Sequence, residues 1–318
     1  MYTSSVMRLE RLVVWLAVAV LVVSYVASSP EDSAGPIVST PAAAPATPAS
    51  APAADSLAGT GTARPSEAAA PATPAAESAG RKSNQSSKRG CGSAAMLRGD
   101  VRLCNLYVYD RQSRWTDAQK KAAQQRMDAA VQFIAAQAKR YKMDVSFEQE
   151  TLKDCTYDGV IPIDMFANPH WIENCVRGCG FDSANALVKS IQEHSKCSGT
   201  LLVVHVNKRA TSYNLTYSEG VHPSFRAERV VLFTNYKDGR PTCAASYAHE
   251  ILHSFGAGEL YFPFDNNPKR KSVAARFFPN DVMYRVDYDL KKLSIDDYTA
   301  YRVGWIDTLD PQYKLFED

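Results

Sequence analysis

Apolar and polar residues alternate along VRLCNLYVYD, residues 101–110, with the two-residue period of a strand. The spacing then changes to threes and fours across TDAQKKAAQQRMDAAVQFIAAQAKRYK, which predicts a long helix beginning at an N-cap Thr116. MDVSFEQE returns to a strand pattern, so the order strand, long helix, strand predicts a crossover between parallel strands. Residues 151–197 are irregular apart from a short helix over SANALVKSIQEHS. TLLVVHVN (200–207) and RVVLFTN (229–235) are nearly continuous apolar runs, as expected of buried strands. The second enters the turn YKDGRP and then TCAASYAHEILHSFGA. Near the end, SIDDYTAYRVGW opens on a capping-box pattern, Ser294 followed three residues later by Asp297. With no internal repeat, these elements predict an α/β domain, its strands first and two helices dominating its C-terminal half.

The pattern is different before residue 91. Arg8 and Arg11 precede an uncharged, mostly apolar run of 16 residues, 12–27. A positive flank, a short apolar core and small residues form the layout of a secretory signal. The run is shorter than the roughly 20 residues of a relaxed membrane span. VASS matches a cleavage site loosely, so a cleaved signal and an uncleaved N-terminal membrane anchor both fit residues 1–29. Residues 30–90 are almost entirely Ala, Pro, Ser, Thr and Gly, too poor in apolar surface to offset the entropy of ordering. They read as a disordered stalk, which leaves 91–318 as the folded domain.

A formal net charge of +2 on 318 residues gives no sign of a nucleic-acid partner. All seven cysteines (91, 104, 155, 175, 179, 197 and 243) follow the stalk. Together with an export signal they predict disulfides, up to three bridges with one thiol left over. CVRGC imitates half a zinc knuckle, but no second Cys or His pair follows at knuckle spacing.

Chemistry concentrates in SYAHEILHSFGAGELY, residues 246–261. On a helix, His249 and His253 lie one turn apart on one face and can bind a single zinc ion through ring nitrogens. Glu250 then sits beside the metal, placed to take a proton from the attacking water. Gly256 falls where the helix can end in a left-handed turn, and Glu259 follows where it can return to the metal as a third ligand.

HEILHSFGAGE resembles the metzincin zinc peptidases, whose helix and following loop read H-E-x-x-H-x-x-G-x-x-H. Here Glu259 stands at the last position; some branches of that clan use Asp there. Metzincins also carry a methionine turn beneath the metal, and NDVMYRV supplies Met283 thirty residues after His253. The resemblance implies a metzincin-like α/β (α+β) fold: a twisted mixed sheet with long helices, the metal-binding helix at the cleft, and a C-terminal helical subdomain. It further implies one catalytic zinc on His249, His253 and Glu259, with Glu250 as general base. Tyr284 is the position for assisting the metal or the oxyanion, although it stands one residue after the methionine and the family spacing is two.

The reading that follows is an exported zinc peptidase acting on protein or peptide substrates. It would be secreted, periplasmic or anchored through residues 12–27 outside the cytoplasm. Two rivals stand: a stalk-presented binding or adhesion module with a structural metal, and a zinc hydrolase of a non-peptide amide. His205, inside LLVVHVN, reads as a hydrogen-bonded strand residue, and His170, His194 and His222 carry no site pattern. Tyr261 reads as packing or part of a substrate cleft, as does the aromatic run ELYFPF. Cys91 reads as a disulfide cysteine before a zymogen switch, and Asn84 and Asn214 fit glycosylation acceptors.

Overall fold

The computed structural model describes residues 91–317, except 166, 217–224 and 262–267. The signal or anchor, the stalk, Asn84, His222 and the second half of the ELYFPF run lie outside the described residues. Among those described, no helix is long and apolar enough to cross a membrane.

Six strands form one mixed sheet in the order β2-β1-β4-β6-β5: β1 Gly99–Tyr109, β2 Val145–Thr151, β4 Gly199–Arg209, β5 Tyr213–Leu215 and β6 Glu228–Asn235. The short β3, Cys155–Thr156, extends beside the far end of β1. β1, β2, β3, β4 and β6 run parallel, and β5 is antiparallel to β6. The parallel β1–β2 pair is joined by α1, Asp117–Arg140, as the spacing predicts. Thr116 and Gln119 form a reciprocal capping box at its start, which satisfies amides that the first helical turn leaves open.

Helices cover both faces, which is why the central strands are apolar throughout. Val101, Leu103, Leu201, Val203, Val230 and Leu232 point to the face packed by α1 and by α4, Ala244–Ser254. Their alternates, among them Leu106, Leu202, Val204 and Phe233, face α2, His170–Gly178, and α3, Ala184–Ser195. His205 lies buried within β4, 2.9 Å from Asn105 Oδ1 and stacked on Tyr107; burial presses its pKa down to about 3.

The C-terminal part contains α5, Pro268–Phe277, and α6, Asp297–Arg302, with two 3-10 turns. It returns to the start of the domain, where the Trp305 indole donates to Leu97 O (2.8 Å) and Arg98 donates to Gly304 O. The capping box expected at Ser294 does not form. Asp296 is the N-cap, its side chain caps nothing, and the helix is six residues long. Ser294 is instead drawn into a bridge with Asp281.

The expected disulfides are also not found: no two cysteines among the described residues lie at disulfide distance. Most thiols are committed to local partners, Cys197 to the Thr200 hydroxyl (3.1 Å) and Cys243 to that of Tyr236 (3.0 Å). Cys104 is sealed in the core, and burial pushes it up to about 12. The half-buried Asn214 amide nitrogen donates to Glu250 O and Ser254 Oγ on α4.

Candidate metal centre

The termination of α4 builds half of the site. Phe255 is the C-cap and Gly256 follows at φ 103°, a left-handed conformation that glycine adopts without Cβ strain. Gly256 N donates to His253 O (3.0 Å) and Ala257 N to Leu252 O (3.1 Å), the paired bonds of a Schellman motif. The reversed chain places Ala257 O within 2.8 Å of His253 Nδ1 and brings Glu259 back beneath the helix. The other half comes from a tight turn at 281–284, whose Val282 O lies 3.0 Å from His249 Nδ1.

Both imidazoles therefore donate their Nδ1 protons to backbone carbonyls, which leaves each Nε2 as a bare lone pair. These two atoms point at each other across 3.0 Å. Glu259 Oε1 lies 3.1 Å from His253 Nε2, and Oε2 lies 3.4 Å from His249 Nε2 with no hydrogen-bond partner of its own. One ligand atom from each of the three residues falls within 4.8 Å of the others. Such a set of acceptors at one point needs a cation or a proton between them. Two neutral imidazoles and one carboxylate fit a divalent metal ion with a position left open.

The electrostatics call for positive charge at this point, which a proton on His249 supplies when no cation is bound. Burial alone would lower the pKa of His249, yet the Glu259 carboxylate lifts it to about 9. Burial works against the charge of Glu259 too, and the two imidazoles hold it well below the carboxylate range. Glu250, at 8% exposure, keeps a raised pKa because burial outweighs both histidines.

The turn at 281–284 carries Met283, fully buried in the same apolar cluster as Ala248 and Leu252 of α4. Its carbonyl accepts from Leu260 N (3.1 Å), next to Glu259, so one turn braces both His249 and the segment that carries Glu259. Sequence reasoning missed what holds the turn itself. The buried Asp281 carboxylate accepts Met283 N and Asp296 N, each at 2.7 Å. An Asp two residues before the methionine was the available signal. Tyr261 was also undervalued: its hydroxyl donates to Glu259 Oε1 (3.1 Å), orienting that carboxylate. Tyr284 lines a cavity of about 290 Å³ together with His249, Glu250, Tyr236, Ser246 and Val286. Cys91 does not join the cluster of metal-ligating groups among the described residues.

Asp281 gives a pH test of this scaffold. Burial pushes its carboxyl up to about 7 although two amides favour the ionised form. An unfolded Asp titrates near about 3.9, so the folded state holds this proton more tightly. Its stabilising effect is full below the unfolded value and is lost as pH rises through about 7. Between about pH 5 and 6.5, below the range where His249 adds a decline of the same sign, the slope reaches at most about 1.4 kcal/mol per pH unit for one proton. Thermal unfolding across that window should show Tm falling with pH, and Asp281→Asn should make the fall shallower. An unchanged slope in the variant would place the titration elsewhere.

No family model and no curated protein matches the chain. A solved structure of metalloproteinase-II from Bacteroides fragilis is similar at a TM-score of 0.38 and 13% identity, covering 69% of this chain. The chain spans 56% of that structure's length.

Proposed function

We propose that this chain is a zinc-dependent peptidase, with His249, His253 and Glu259 as the metal ligands and Glu250 as the general base. The observation that carries the reading is the convergence of two lone-pair Nε2 atoms and a carboxylate on one point, beside a buried glutamate and an open cavity. Zinc held there supplies Lewis acidity, which acidifies water and polarises a carbonyl oxygen. His249 and His253 add no charge and Glu259 adds one negative charge, so the site keeps net positive character for a developing oxyanion.

Glu250 takes a proton from the attacking water and passes it to the departing amine nitrogen. A carboxyl with ordinary acidity would hold that proton poorly. Burial raises its proton affinity toward the range in which one group can accept and then donate near neutral pH. Asn214 and Ser254 steady the helix behind it, through the bond from Asn214 Nδ2 to Glu250 O (3.2 Å). The cavity walls, Tyr236, Tyr284 and Val286 among them, offer a mixed aromatic and aliphatic surface to a substrate side chain next to the scissile bond.

A purely structural zinc is normally enclosed by four protein ligands, and Glu250 would then have no task. That favours an enzyme over a binding module. The arginine-flanked apolar run at 12–27 supports export as part of the same proposal.

The test is metal content with hydrolysis of an unstructured polypeptide by the full chain. Zinc near one per chain is expected, with cleavage lost on chelation and restored by zinc. Bound zinc with no peptide-bond cleavage would move the reading to a binding module, or to a non-peptide amide if such a substrate is hydrolysed. Absence of zinc binding would end it.

A further inference from the structure

On the face of the sheet opposite the histidines, three of the seven cysteines converge. Cys155 belongs to β3, pinned beside the end of β1. Cys175 and Cys179 stand four residues apart at the end of α2, so they share one side of it. The Cys155 thiol is hydrogen-bonded with both of theirs and donates to Cys175 O at 3.0 Å. A Cβ on Gly178 would lie 3.4 Å from Cys155 Sγ, so this sulfur is packed into the last helical turn. Cys155 and Cys175 are buried, whereas Cys179 is partly exposed, its thiol donating to Lys153 O (3.3 Å).

We propose that Cys155 and Cys179 form a thiol–disulfide exchange site that reacts with small external disulfides, such as oxidised glutathione, and closes into a Cys155–Cys179 bond. Cys179 makes first contact because it alone of the three reaches solvent. Burial pushes the Cys179 thiol up to about 11, so its thiolate is a minor form and attacks one sulfur of the external disulfide slowly; that S–S bond breaks, and the first small thiol leaves with the proton Cys179 gave up. The Cys155 thiolate then attacks the Cys179 sulfur of the mixed disulfide, forming the protein bond and releasing the second small thiol. Two protein thiols lose two electrons, and one external disulfide becomes two thiols.

Neighbouring thiols that hydrogen-bond to Cys155 favour its thiolate, which suits it to the resolving step. The buried Cys175 stays reduced and is shielded from the external reagent. The bond would tie the end of α2 to β3, fixing the irregular segment between them to the edge of the sheet.

The sequence makes the pairing readable. Trypsin cleaves after Lys153 and Arg177, so Cys155 and Cys175 share the peptide 154–177 and Cys179 lies on 178–189. The reduced full chain is incubated with oxidised glutathione under native conditions, its remaining thiols are alkylated, and the unreduced digest is weighed. The expected product is peptide 154–177 cross-linked to 178–189 with Cys175 alkylated. Cys155→Ser should stall as glutathione on Cys179, and Cys175→Ala should close within about twofold of the wild-type rate. Three alkylated thiols, a persistent mixed disulfide in the wild type, or a loop confined to peptide 154–177 would each overturn the proposal.

Discussion

Glu250→Gln is expected to retain zinc at the wild-type stoichiometry and to lose peptide hydrolysis by about 10²–10⁴-fold, the range a positioned acid–base group supplies. The substitution keeps the shape of the side chain and removes its capacity to hold a proton. The three ligand side chains and the carbonyls that orient them, Val282 O and Ala257 O, are untouched. Stability should not fall, because a buried group whose charged form is disfavoured is replaced by a neutral one. Zinc content, Tm and the rate of polypeptide cleavage therefore separate the roles. Loss of zinc along with activity would make Glu250 a ligand, and activity within tenfold of wild type would remove it as the base.

The parts of the fold that were legible are those governed by local pattern. α1 announced itself through its apolar spacing and through Thr116 and Gln119, and both ends of its capping box lie within three residues. β4 and β6 were legible because burial on both faces leaves little choice but continuous apolar residues. The histidine pair and Gly256 were legible for the same reason, since helix periodicity and one left-handed residue are short-range properties.

What sequence reasoning missed depends on distant partners. Antiparallel β5 is only three residues long, and its pairing with β6 carries no periodic signature. Ser294 has the right spacing for a cap but is engaged by Asp281, thirteen positions earlier. Asp281 could not be recognised as the clamp of the turn at 281–284 until its two amide partners were brought to it. α2 begins after Pro169 inside a stretch whose apolar residues face a sheet that the local pattern does not reveal. The disulfide expectation came from counting cysteines, and counting does not say which of them the fold brings together.

Removing the third ligand should have the other large effect. Glu259→Ala is expected to weaken zinc binding by more than about a hundredfold, beyond the 10–100-fold typical of losing an outer-shell partner. Hydrolysis should fall with it at any zinc concentration that does not saturate the variant. Glu259 supplies the only negative charge evident among the three proposed ligands, and its carboxylate is held ionised by both imidazoles and steadied by the Tyr261 hydroxyl. Glu259→Gln keeps the side-chain volume and one oxygen for Tyr261 but loses the charge, so its affinity should fall between wild type and the alanine variant. Competition with a chromophoric chelator gives the three affinities directly. The order wild type, Gln, Ala would assign Glu259 a direct charge-bearing bond to the metal. Equal affinities for wild type and Ala would show that the histidines bind without it, and Glu259 would then be a partner that merely holds a proton between them.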